Sequence, residues 1–168
     1  DNNYWVLYGG TSGNGANIAL SGNSRSTYGG RLDIAAGNVD SSGVIAFNTA
    51  GSEKMQIDYS GKVGIGISNP DGKLHIHEGS AGTGTAHANG DELVIESDNS
   101  EVGMTFLGSN TSSQNILFGD PDDHKKGYIV YAHNGDSMTF GTAANNRMTI
   151  DSSGNVGIGT LSPAKPLQ

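Results

Sequence analysis

Lys54-Met-Gln-Ile-Asp-Tyr-Ser-Gly-Lys-Val-Gly-Ile-Gly-Ile-Ser-Asn-Pro70 returns 93 residues later as Arg147-Met-Thr-Ile-Asp-Ser-Ser-Gly-Asn-Val-Gly-Ile-Gly-Thr-Leu-Ser-Pro163. Met55 and Ile57 alternate with Gln56 and Asp58, the period-two pattern of a half-buried strand. Asp58-Tyr59-Ser60-Gly61 reads as a turn in which Gly61 takes the positive φ a tight hairpin needs. Val63 and Ile65 then alternate with Gly64 and Gly66, giving one apolar face and one face without side chains. Glycine weakens a strand, so a bare face is expected where another backbone comes very close. We expect Gly64, Gly66, Gly157 and Gly159 to be inter-chain packing positions, where neighbouring chains or neighbouring turns of a winding chain press together.

Working outward, short alternating runs separated by Gly/Ser/Asn turns fill both sides of each copy. Tyr4–Tyr8, Asn17–Leu20, Arg31–Ile34, Val44–Phe47 and Lys73–His77 are the strands expected in the first module. Leu93–Glu96, Met104–Leu107, Asn115–Phe118, Tyr128–Tyr131 and Ser137–Phe140 are those of the second. Phe140 aligns with Phe47 at the same offset, and Met138 with Ile45. Residues 78–91 are small and polar, as in a linker or surface arm. The expected organisation is a module at 1–77, an arm at 78–91 and a second module at 92–168, with no helical periodicity anywhere. Two repeats joined by an arm suggest a quasi-linear object whose sheet edges must be managed.

Leu, Ile, Val and Phe together make up 33 of 168 residues, and the net charge is −8. That sits at the border of disorder, from which the strand patterning rescues it. So sparse an apolar set fills no thick core, and association between chains would supply the missing burial. The acidic balance excludes a phosphate-binding basic face, so no nucleic-acid partner is expected. No run is apolar enough to insert in a membrane, and with no cysteine there is no disulfide or thiolate site. A first residue Asp1 and a Pro-rich tail fit a piece of something longer.

Met148 through Thr160, with Ser162-Pro163, resembles a segment that recurs in tailed-phage tail fibres and tailspikes, often just before an endosialidase-type intramolecular chaperone. The first copy also carries the Lys73-Leu74-His75 ending of that segment, and Ala132–Gly141 is similar to the strands preceding it. The resemblance implies an all-β, elongated, intertwined homotrimeric fibre, β-prism or triple β-helix-like, in the extracellular part of a virion. It implies as partners the other tail proteins and a bacterial surface glycan or protein receptor. The chaperone's self-cleaving serine–lysine arrangement is absent from these residues, so no catalytic residue is carried over.

Several patterns could carry chemistry. His75-x-His77 puts two imidazoles on one strand face, and in fibres of the resembled kind three such pairs hold a metal ion on the axis. Against that, Leu74 and Ile76 are expected to be the buried pair, leaving both histidines wet, and we expect no metal and no cofactor. The acidic loop Gly119–Gly127 lacks the spacing of a calcium loop and reads as a solvated turn. Glycan cleavage needs two carboxylates across a groove, which scattered turn acids do not specify. No Gly-x-Ser-x-Gly elbow is present, and Gly-Ile-Gly has no helix after it to make a phosphate loop. The expectation is therefore a non-enzyme. Its receptor contacts would be aromatic, with Tyr4, Trp5, Tyr8, Tyr28, Tyr128 and Tyr131 the candidates. The alternatives are a depolymerase tailspike fragment and a bacterial trimeric adhesin stalk.

Overall fold

The computed structural model describes residues 4–9, 16–21, 32–37 and 43–166. Among them every regular element is a strand: β1 (Tyr4–Gly9), β2 (Ala16–Ser21), β3 (Leu32–Ala35), β4 (Ile45–Thr49), β5 (Ser52–Ile57), β6 (Val63–Ile65), β7 (Leu74–His77), β8 (Leu93–Glu96), β9 (Ser113–Phe118), β10 (Gly127–Ala132), β11 (Ser137–Thr142), β12 (Asn145–Ile150) and β13 (Val156–Ile158). They form a three-stranded sheet, β1-β2-β3, and two five-stranded sheets, β4-β5-β6-β7-β8 and β13-β12-β11-β10-β9. The chain divides into two units, Asp1–Gly103 and Met104–Gln168. This division falls twelve residues after the one the repeat suggests, because Leu93–Glu96 pairs in parallel with Leu74–His77 and completes the first unit's sheet.

The repeat is the same three-stranded core built twice. Ile45 faces Ile57 and Phe47 faces Met55, just as Met138 faces Ile150 and Phe140 faces Met148. Both hairpins bulge one residue later, between Phe47 and Asn48 and between Phe140 and Gly141. Both turn through two residues of positive φ, Ala50-Gly51 at 50° and 75° and Ala143-Ala144 at 51° and 58°. That mirror-image turn matches the twist of the flanking strands. The next turn is held by an aspartate. Asp58 Oδ1 accepts from the amides of Ser60 and Lys62, and Asp151 Oδ1 from those of Ser153 and Asn155. Gly61 and Gly154 close these turns at φ 85° and 79°.

The sheets then grow in opposite directions from that core. The first adds β7 and β8 beyond β6, both in parallel. A parallel neighbour normally needs a long crossover; strands this short let the eight residues 66–73 suffice. The second adds β10 and β9 beyond β11, antiparallel, and leaves β13 as its edge. Met104–Leu107, expected as a strand, forms no ladder, since no neighbouring strand runs beside it to complete its hydrogen bonds.

Candidate functional site

The ladder registers align the large apolar side chains in rows. In the first five-stranded sheet, Ile45–Ile57–Val63–Leu74–Leu93 and Phe47–Met55–Ile65–Ile76–Ile95 lie on one face. In the second, Ile116–Ile129–Phe140–Met148–Ile158 make the matching row. These faces are largely uncovered: Phe47 is 47% exposed, Ile76 40% and Ile158 73%. Among the described residues Tyr128, 6% exposed, is the one large apolar side chain that is buried.

The opposite face of the first sheet is the covered one. It carries the row Ala46–Gln56–Gly64–His75–Val94, and the β6–β7 loop lies on it. Gln56 Nε2 donates to Ser68 O at 2.5 Å, and the Asp71 amide donates to His75 Nδ1 at 3.2 Å. A Cβ on Gly64 would stand 2.3 Å from Ile67 O, and one on Gly157 2.5 Å from Thr160 O. The close approach that requires glycine at these two positions is therefore made by the chain's own loop. Gly66, at φ 78°, faces His77 O, which an added Cβ would meet at 2.2 Å. Gly159 has the same backbone at φ 72° and nothing within 4 Å.

Burial on β7 is the reverse of the expectation. His75 is completely buried and Ile76 is not, because the loop covers the histidine face and leaves the aliphatic one open. His75 Nε2 lies 3.1 Å from Glu96 Oε2, with His77 Nε2 at 3.9 Å from the same oxygen. The 3.1 Å approach falls off the N–H direction, so it is a close polar contact and not an aligned hydrogen bond. The Ala81 amide, donating to Oε1 at 2.6 Å, does most to hold the Glu96 carboxyl below its ordinary value. Partial burial opposes this, and the two imidazoles add to the lowering. Since His75 Nδ1 accepts a hydrogen bond, the ring proton sits on Nε2, and neither nitrogen offers a lone pair to a metal. Among the described residues no three His, Asp or Glu side chains are arranged to hold one.

The aromatic candidates separate clearly. The Tyr128 ring packs on Gly141, has Lys125 Nζ 4.4 Å from its centroid, and donates its hydroxyl to Asn146 Oδ1. No face of it is left for a sugar. Tyr131 is half-buried, donates to Asp136 Oδ1 at 3.2 Å and meets His133 edge-on at 5.0 Å. That hydrogen bond, more than burial, raises its hydroxyl pKa. Tyr4, Trp5 and Tyr8 lie on β1 with side chains outside the described set, and Tyr28 lies outside the described residues. In the acidic loop, Asp120 Oδ1 accepts from the Asp122 and Asp123 amides, as in an ordinary turn. Sequence reasoning missed the Glu96 contacts, since β8 was assigned to the other module. Among the described residues no helix is long and apolar enough to cross a membrane. The chain matches no family model and no curated protein.

Proposed function

We propose that this chain is a non-enzymatic structural and host-binding segment of a phage tail fibre, acting as a homotrimer. The observation that carries the reading is the inversion of the first five-stranded sheet, repeated at Thr149 and Gly157 of the second: the polar, glycine-bearing face is covered by the chain's own loop while the aliphatic rows stand half open. Fully burying an aliphatic side chain stabilises by about 1.5–3 kcal/mol. Each half-exposed member of these rows thus leaves roughly 1 kcal/mol unrealised in a single chain. Stacking the rows of three copies around one axis realises it, and the repeated motif at 54–70 and 147–163 is of the fibre type. Such a shaft would present weak contacts in threefold copy to a bacterial surface glycan or protein, raising avidity without new contacts. The test is the mass in solution across a dilution series. Three chains per particle is the expected result; a monomer that keeps its melting temperature at high dilution overturns the reading.

A further inference from the structure

The loop that covers the first five-stranded sheet is fastened to it through an ionisable ring. His75, on β7, is completely buried. Its Nδ1 accepts from the Asp71 amide at 3.2 Å, so loop and strand are joined at an imidazole lone pair. Two further side chains tie the same loop down. Gln56 Nε2 donates to Ser68 O, and Lys62 Nζ donates to Pro70 O and Asp71 O at 2.9 and 3.2 Å. Around the ring, β5 and β6 bring the neutral Gln56 and Gly64. On the other side β8 brings Val94 and the carboxylate of Glu96, whose Oε2 lies 3.1 Å from His75 Nε2. On β7 itself His77 meets the ring edge-on at 5.7 Å and lies 3.9 Å from the same Glu96 oxygen. The loop adds the carboxyl group of Asp71 and the ammonium of Lys62.

We propose that His75 is a proton-operated latch on the β6–β7 loop, closed while the ring is neutral and released when it is protonated. A neutral imidazole has one acceptor nitrogen, and an imidazolium has none. A proton on Nδ1 would leave two N–H groups facing each other across the Asp71 contact. The ring is held between neighbouring strands, and Glu96 draws the new charge toward β8. The loop is therefore what yields, lifting the Asp71 amide off Nδ1. While that amide is in place the proton has no room on the buried nitrogen, so the open loop binds one proton more than the closed one. The closed state is then favoured as pH rises and lost as pH falls through the range in which imidazoles titrate, about pH 5–8. Glu96, held below its ordinary 4.5, is ionised across that range and favours the charged ring with the loop open or closed, so it does not reverse the direction. Release uncovers the polar row Gln56–Gly64–His75 while the strands stay paired. The inference uses only contacts within the first unit and is independent of the fibre reading.

The test is amide hydrogen exchange of the intact chain by NMR at pH 7.5 and pH 5, expressed as protection relative to an unstructured peptide at the same pH. Protection at Asp71 should fall at least about tenfold at the lower pH. The Gly159 amide, bonded to Arg147 O in the second unit, should keep its protection and serves as the internal reference. His75→Asn keeps an acceptor oxygen attached to Cγ, as Nδ1 is, and takes up no proton, so Asp71 should stay protected at both values. His77→Gln should behave as the unchanged chain does. Equal protection of Asp71 at the two pH values overturns the proposal, as does a fall that survives His75→Asn, disappears in His77→Gln or is matched at Gly159. Nitrogen NMR of the unsubstituted chain reads the ring without any variant. It should show the Nε2–H tautomer at pH 7.5 and both nitrogens protonated at pH 5, and a ring still neutral at pH 5 is the contrary result.

Discussion

The same seventeen-residue motif has two different neighbourhoods in this molecule, and the contrast separates what the motif does from what its surroundings do. Its bulge, its aspartate-held turn and its loop folded over Gly64 or Gly157 recur in both places. Those features belong to the motif. The tether at Gln56 has no like in the second copy, and among the described residues the pairing beyond β6 and the contact at Gly66 are found in the first copy. Position 56 is the clearest case. Gln56 spans to Ser68 O, whereas its counterpart Thr149 is too short to reach the loop and its buried hydroxyl has no partner.

Substitution at the second motif glycine should split the two copies most. Gly66→Ala forces a left-handed backbone and drives a methyl into His77 O, so a loss of about 3 kcal/mol is expected. Gly159→Ala suffers only the backbone term, about 1 kcal/mol. Chemical denaturation of the two variants measures the gap, and equal losses would mean that β13's edge is as crowded as β6's. Next in size is the polar tether. Gln56→Ala should cost about 1–2 kcal/mol by breaking the Ser68 bond in a shielded place. Thr149→Val should instead stabilise by up to about 1 kcal/mol, because it removes a hydroxyl that is buried without a partner. A destabilised Thr149→Val variant would reveal a partner for that hydroxyl.

Acid should give the smallest and most graded difference. In Asp58 burial raises the carboxyl pKa, but the hydrogen bonds from Ser60 and Lys62 outweigh it and leave it below 3.8. In Asp151 the Asn155 side chain and amide lead, again to a value below 3.8. Glu96, in the first copy, lies below its ordinary 4.5. Each lowered carboxylate contributes stability that is present above its unfolded-state pKa and fades as pH falls through the folded one. Below about pH 4.5 the first copy should therefore loosen first, beginning where Glu96 holds the Ala81 amide. Amide exchange at Ala81 across pH 3–6 checks this, with no change at Ala81 the contrary result.

Much of this architecture was readable from residues alone. Alternation located nearly every strand, and the repeat fixed the shared core, because period-two burial and turn glycines are local signals. Three things were not local. The burial of His75 depends on a loop that covers one face of a sheet whose other face is richer in aliphatics. The place of Leu93–Glu96 depends on a parallel partner nineteen residues earlier. The unpaired state of Met104–Leu107 depends on having no strand among the described residues to pair with. In each case an amphipathic strand was recognised, while the side it shows to the chain was set by connections that composition does not encode. The glycines carried the same ambiguity: a bare face announces a close approach without naming which backbone approaches.

The aspartate-closed turns have a kinetic corollary. Asp58 and Asp151 bind amides only two and four residues ahead, and the hairpins before them close over two residues. Contacts so near in sequence form on the microsecond scale, long before separate chains meet by diffusion. The order of events follows for the proposed trimer: each chain finishes its ribbons alone, with its aliphatic side outermost, before association begins. Under the proposed trimer, yield on refolding should pass through an optimum in protein concentration, starved of partners on one side and lost to disordered clumping on the other.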